Sequence, residues 1–352
     1  MIRRGAFKAP DEPAWKDQAA TKSVKKKTPT QKDVARFAGV SQAAVSRFIS
    51  GKGSLSAEVR ERILNAVTMV DYRPDALGRA LSNGKVDIVA IVMANITNPW
   101  YPAVLERITR ELHARGLQAL LFNAAPPLTV DDLMPLVMQY RVRGVIITTA
   151  SLSSHGADMC VKQGVPVVMF NRYSQVGAAH AVSCDNVGGG RMAADILMQA
   201  GAREYGFIGG TPEVSTNRDR KQGFVDRLFE RGIVPALVER EYTYDWGYEA
   251  CLALLRQHPE IDSLFCADDE IASGAIDAVR FGLGKRVPED VRVLGFDDHP
   301  VASNAAYQLT TIAQPVDAMI EAALALLLGD EQAPVTRVFP GQLIQRKSVP
   351  PG

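Results

Sequence analysis

Between residues 29 and 51 the apolar positions recur every three or four residues in two short blocks separated by a glycine. Val34, Ala35 and Ala38 make one stripe, and Val45 and Ile49 make a second. This spacing predicts two short helices joined by a tight turn. Thr30 is placed to cap the first helix, with Asp33 reaching back in the manner of a capping box. Gly39 stops it, Val40 plugs the turn and Ser41 caps the second helix. Gln42, Ala43, Ser46 and Arg47 are then left outward. A third helix is expected from Ala57 to about Val70, capped by Ser56, with Val59, Ile63, Val67 and Val70 on one face. Tyr72-Arg73-Pro74 breaks it. Together the three helices close a small head.

From Asp87 the texture changes. Apolar runs at 88–94, 119–122, 145–147, 165–170, 205–208, 264–266 and 291–296 alternate with helical lengths. Short β-rich runs spaced in this way imply parallel sheets covered on both faces, a doubly wound α/β architecture. Polar residues end these runs: Asn95, Asn123, Thr148, Asn171-Arg172, Asp268-Asp269 and Asp297-Asp298. In open α/β sheets that edge is where ligands bind. A purely structural sheet has no need of carboxylates there.

With 352 residues the chain exceeds one ordinary core, so two or more domains are expected. A net charge of +1 hides an asymmetry. Residues 1–84 carry 16 basic and 8 acidic side chains, and the remainder carries 24 and 31. A basic head on an acidic body suggests that the head meets a polyanion. The Lys25-Lys26-Lys27 run alone reads equally as a solvated tail, but its place before the helix pair favours DNA.

Other chemistries fit poorly. Cys160, Cys184, Cys251 and Cys266 have no paired spacing and read as reduced, mostly buried thiols of a cytosolic protein. His113, His155, His180, His258 and His299 show no metal-ligand pairing, so neither metal nor cofactor is expected. His299 reads as a satisfied surface histidine. Gly188-Gly189-Gly190 and the 206–209 stretch lack the dinucleotide spacing, and no serine or cysteine has a nucleophile-elbow context. No run reaches membrane-spanning length, and the first thirty residues lack the apolar stretch of a secretion signal. Residues 1–28 are expected to form a basic, largely disordered extension of a cytoplasmic protein.

Three short motifs carry a resemblance. Lys32-Asp33-Val34-Ala35, Ala38-Gly39-Val40-Ser41 and Ala44-Val45-Ser46-Arg47 are similar to the helix-turn-helix of the lactose/galactose-repressor (LacI/GalR) family of bacterial transcription regulators. Ala44 stands where that family usually has threonine, which removes one phosphate contact. The resemblance runs from about Thr30 to Val349. It implies DNA contacts from Thr30, Ser41, Gln42, Ala43, Ser46 and Arg47, with Arg47 the best candidate to read guanine. It also implies a hinge helix at 74–84, following a head at 29–73. There Leu81 would wedge into the minor groove beside Arg79, and Gly78 replaces the usual alanine. An ordinary linker helix is the alternative for this segment.

For residues 85–352 the resemblance implies a two-lobed, periplasmic-binding-protein-like core. Lobe 1 would span about 85–184 and 315–334, and lobe 2 about 185–312 and 335–349. The crossings fall near 183–185, near 311–315 and near Val335, so that a last strand at 337–346 returns to lobe 2. The implied effector cleft takes Arg220, Asp297, Tyr242, Asn171 and Asp268, the last replacing a common asparagine. Asn95 and Tyr101 come from the segment Asn-Ile-Thr-Asn-Pro-Trp-Tyr, where Trp100 or Tyr101 either reaches the cleft mouth or lies buried under a helix start. Arg218 and Asp298 read better as structural ion pairs. The function implied is a homodimeric regulator, with a tetramer left open, that binds operator DNA and a small sugar, sugar acid or related effector. The rival is a sugar-binding or enzymatic α/β protein with an accessory head.

Overall fold

The computed structural model describes residues 29–50, 54–72, 87–94, 96–125, 127–148, 156, 159–160, 162–173, 179–331 and 333–352. The chain divides after Ser82 into a head and a core. In the head, α1 (Gln31–Ala38), α2 (Gln42–Ser50) and α3 (Ala57–Met69) form the expected trio. Both halves of the Thr30–Asp33 capping box are made, with the Thr30 amide donating to Asp33 at 3.0 Å. Gly39 takes the left-handed conformation (φ +62°) that turns the chain into α2. Arg62 of α3 clamps this turn, donating to the carbonyls of Ala38 (2.7 Å) and Gly39 (2.9 Å). Val34, Val45 and Ile63 are fully buried between the helices. Tyr72 does more than end α3, because its side chain is buried in the same small core.

The core elements follow in chain order: β1 (Ile88–Met93), α4 (Trp100–Ala114), β2 (Gln118–Asn123), α5 (Val130–Gln139), β3 (Gly144–Ile147), β4 (Val167–Phe170), β5 (His180–Cys184), α6 (Asn186–Gln199), β6 (Tyr205–Gly209), α7 (Ser215–Phe229), β7 (Ala236–Glu239), α8 (Tyr244–Gln257), β8 (Ser263–Cys266), α9 (Asp269–Asp277), β9 (Arg292–Asp297), β10 (Thr310–Ala313), α10 (Val316–Leu328), β11 (Thr336–Phe339) and β12 (Gln342–Ile344). They build two six-stranded sheets, ordered β11-β5-β4-β3-β1-β2 and β12-β10-β9-β8-β6-β7. Among the described residues every strand pairing is parallel except β10 with β12. The central strands are buried along their lengths, as parallel sheets with covered faces require. Cys160, Cys184, Cys251 and Cys266 are free and buried among them.

The chain passes from the first sheet to lobe 2 after β5, and back to lobe 1 between β10 and α10. The third crossing differs from the expectation. Residues 336–339 pair with β5 and so belong to lobe 1, while 342–344 pair with β10 in lobe 2. The switch is therefore at Pro340-Gly341, not near Val335. Proline lacks the N–H needed to continue a ladder. A side chain at Gly341 would meet Ile312 at 2.7 Å. The apparent single strand at 337–346 is thus two strands, one in each lobe.

Helices α6 and α7 touch backbone to backbone at Gly190 and Gly223, which accounts for the last glycine of the 188–190 run. A Cβ at Gly190 would lie 2.1 Å from the Arg220 carbonyl, and one at Gly223 would lie 2.0 Å from that of Val187. Backbone cannot yield as a side chain tip can. Gly223→Ala is expected to lower core stability by about 1–3 kcal/mol through this overpacking. Thermal unfolding measures it, and an unchanged core transition would mean that the two helices separate freely. Because α7 carries Arg220, the same contact sets where that guanidinium lies.

Candidate functional site

The head presents one polar face. Ser41, Gln42, Ala43, Ser46 and Arg47 are all exposed on α2 or at its start, and Thr30 is exposed beside α1. The Ser41 hydroxyl accepts the amide of Ala44 at 3.2 Å, which fixes the start of α2. Ala44 itself is buried against the head core, so its side chain faces away from the polar surface. Arg79, Leu81 and the rest of the hinge at 74–84 lie outside the described residues, as does Asn95.

The core encloses a cavity of about 680 Å³ between its two lobes. The C-terminal strand ends line it from both sides: Asn171 after β4, Tyr242 after β7, Asp268 after β8 and Asp297 at the end of β9. Tyr101 from the start of α4 and Arg220 from α7 complete the set, so six of the seven expected residues meet in one cavity. Asn171 and Asp297 hold positive φ values of +57° and +106°. Such conformations are sparsely populated for residues with a side chain and gather at functional sites.

Arg220 is 2% exposed and donates in three directions. Its Nε reaches Asn186 Oδ1 at 2.9 Å, one terminal nitrogen reaches the Ala267 carbonyl at 2.6 Å, and the other reaches Asp297 Oδ1 at 2.8 Å. Its guanidinium lies 3.7 Å from the centroid of the Phe296 ring. Asp297 Oδ1 also accepts from Gln314 Nε2 at 2.7 Å. This is a braced polar pair at the floor of the cleft. Trp100, Tyr101 and Tyr242 supply aromatic surface around it. Both Trp100 and Tyr101 are buried and line the cavity, so the two readings of that segment hold together. Burial pushes the Tyr242 hydroxyl up to about 12.

Several residues outside the expected effector set also join the lobes. Asn98 donates to Asp268 Oδ2 at 2.9 Å across the cleft, while Asp268 Oδ1 accepts the Ile271 amide at 2.9 Å. Arg172 donates to the Thr216 hydroxyl on the opposite lobe and to the Tyr101 hydroxyl at 3.2 Å. The Tyr173 hydroxyl donates to Asp219 at 3.0 Å and accepts from Arg218 at 2.8 Å. Arg218 is thus a cross-lobe tie. Asp298 pairs with Arg346 at 2.6 Å, which matches its structural reading. His299 is 2% exposed, so it is not a surface histidine; its Nδ1 accepts the Val301 amide at 3.2 Å. Asp269 is also buried and accepts from Thr311 Oγ1 at 2.6 Å and from the His299 amide at 3.0 Å.

Burial, with the Asp297 charge second, raises the Asp268 carboxyl from 3.8 to about 7. Between those values the folded protein retains a proton that the unfolded chain has lost. Rising pH therefore favours unfolding until about pH 7. Asp268→Asn removes this penalty. The melting temperature of the variant is expected to gain on that of the wild type steadily from about pH 4 to about pH 8. A difference that does not change with pH would show that Asp268 is ionised throughout.

Among the described residues no cluster of three or more His, Cys, Asp or Glu side chains is placed to hold a metal ion. No described helix is long and apolar enough to cross a membrane.

Comparison with known proteins agrees with this division. Residues 30–75 match the model of bacterial regulatory proteins of the lacI family, and residues 194–349 match that of the periplasmic binding protein-like domain. The HTH-type transcriptional regulator CelR of Thermobifida fusca is 30% identical over 338 residues, which are 92% of this chain and 99% of that protein. The HTH-type transcriptional regulator MalR of Streptomyces coelicolor is 32% identical over 333 residues, 90% and 95% of the two chains. Among solved structures, a CelR–cellobiose complex superposes with a TM-score of 0.68 at 29% identity, covering 91% of this chain and 99% of that one. The lac repressor dimer bound to operator shares the fold with a TM-score of 0.81 at 22% identity, covering 92% and 99%. With a helix-turn-helix head, two parallel six-stranded lobes and these relatives along most of its length, the chain belongs to the lacI family of bacterial transcription regulators.

Proposed function

We propose that this regulator is a homodimeric repressor whose operator affinity is set by a sugar-like effector held in the cleft. The observation that carries the proposal is the braced Arg220–Asp297 pair at the floor of an aromatic-walled cavity. Planar donors and acceptors in that setting match the paired hydroxyls of a sugar, and the aromatic rings match its apolar faces. Relatives carry names such as ribose operon repressor and sucrose operon repressor, which supports the same class.

In the dimer, Gln42, Ala43 and Arg47 of each head read a half-site in the major groove, and Ser41, Ser46 and Thr30 position the helix on phosphates. Arg79 and Leu81 act in the minor groove between them. The cross-lobe ties through Asn98, Arg172 and Tyr173 change when the cleft opens or fills. Effector binding then biases the lobe arrangement, and through it the hinge, between two states. Release from DNA is the expected sense. Selection of binding sites from random duplexes tests the first half: a pseudo-palindrome is expected. A thermal-shift screen of sugars, sugar acids and polyols tests the second. A core stabilised by none of them would remove the sugar reading.

A further inference from the structure

We infer that Arg62, on α3, is a positioning residue for DNA recognition: it holds the turn before α2 and so sets the angle at which Gln42, Ala43 and Arg47 meet base edges. The inference rests on the reading of α2 above and adds a residue that lies outside that helix. Arg62 Nε and one terminal nitrogen donate to the Ala38 carbonyl at 3.0 and 2.7 Å, and the same terminal nitrogen reaches the Gly39 carbonyl at 2.9 Å. These carbonyls stand at the C-terminal end of α1, where a helix has no amides of its own left to pair with them. A guanidinium there also meets the negative end of the helix dipole. Gly39 suits the clamp twice over. It takes the left-handed conformation of the turn, and a Cβ at this position would lie 2.6 Å from the Arg62 terminal nitrogen.

Packing alone defines the angle between α1 and α2 poorly. The side chains they bury are Val34, Ala35, Ala38, Ala44 and Val45, all small, so the two helices interlock little. The turn between them pivots on a glycine. Arg62 supplies the missing constraint from α3, and Arg60 adds a second tie, its guanidinium 5.8 Å from the centroid of the Phe48 ring on α2. Arg47 stands five residues into α2, about 7.5 Å along the axis. A tilt of about 10° at the turn displaces it by about 1 Å, enough to spoil a bidentate hydrogen bond to a base. The Arg62 side chain is exposed on its outer side, so its bonds compete with water and contribute little to whether the head folds. What they fix is where α2 points.

The test is an anisotropy titration of the full chain over a series of salt concentrations. One probe is the duplex that the wild type selects from random sequence, and the other is a scrambled duplex of the same length and composition. Arg62→Ala is expected to lose at least about 10-fold in affinity for the selected duplex and less than about 3-fold for the scrambled one, with the slope of log affinity against log salt unchanged. Arg62→Lys keeps the charge without the planar fork and is expected to fall between wild type and the Ala variant on the selected duplex; it serves if the Ala variant does not fold. Equal losses on both duplexes, with the salt slope reduced by about 1 per head, would make Arg62 a phosphate contact and overturn the inference. Equal losses with an unchanged slope would reduce its role to folding of the head and overturn it as well. Wild-type affinity of Arg62→Ala for the selected duplex would show that the turn holds its angle without the clamp. Arg47→Ala is the control for the underlying reading: if it binds the selected duplex as tightly as wild type, α2 does not read bases and the inference falls with that reading.

Discussion

Arg220→Ala is expected to destabilise the core by about 3–5 kcal/mol and to abolish its response to effector, while the head stays folded. Three hydrogen bonds and a ring stack leave with the side chain. Asp297 then keeps only Gln314 as a donor, in a site that is almost closed to water. A buried pair adds little when intact and is severe when broken, because one charge is left behind. Asp297→Ala is expected to act in the same direction from the other side. Core unfolding in denaturant gives the stability term, and operator titration with and without effector gives the functional one. A variant with wild-type core stability that still responds would move the ligand away from Arg220.

Arg47→Ala is expected to reduce specific operator affinity by about 1–3 kcal/mol per half-site and to relax preference at one base position. The side chain is exposed on α2, one turn beyond Ala43, whose carbonyl accepts from its Nε at 3.4 Å. Small neighbours such as Ala43 and Ser46 let a helix approach base edges closely. Removing a phosphate interaction would weaken binding to all sequences alike, whereas removing a base interaction changes the selected motif. Site selection with the variant distinguishes them. Recovery of the wild-type motif would make Arg47 a phosphate contact.

Much of this was legible locally. The Thr30–Asp33 box, the Gly39 stop and the Ser56 cap depend on residues within a few positions of one another, and each forms as the spacing implies. The strand ends were legible for a related reason: short apolar runs stop at the polar residues that later face the cleft. Residues whose roles arise only from distant partners were not. Nothing near Asn98 or Thr216 in the chain announces Asp268 or Arg172 across the cavity. Tyr72 reads as part of a helix-breaking triplet, although its ring is buried in the head. Pro340-Gly341 offered a usable signal for the split strand, since the pair interrupts a ladder in either lobe. His299 was misread because a histidine beside two aspartates reads as polar surface; the fold instead buries it against Asp269 and Glu270.

The most direct test of the account is an anisotropy titration of the full-length protein on its selected operator, repeated with the cleft ligand at saturation. Wild type is expected to lose at least about 10-fold in specific affinity, a coupling of about 1.4 kcal/mol or more, while Arg220→Gln binds operator equally with and without ligand. Operator affinity that is indifferent to a ligand shown by calorimetry to occupy the wild-type cleft would contradict the account.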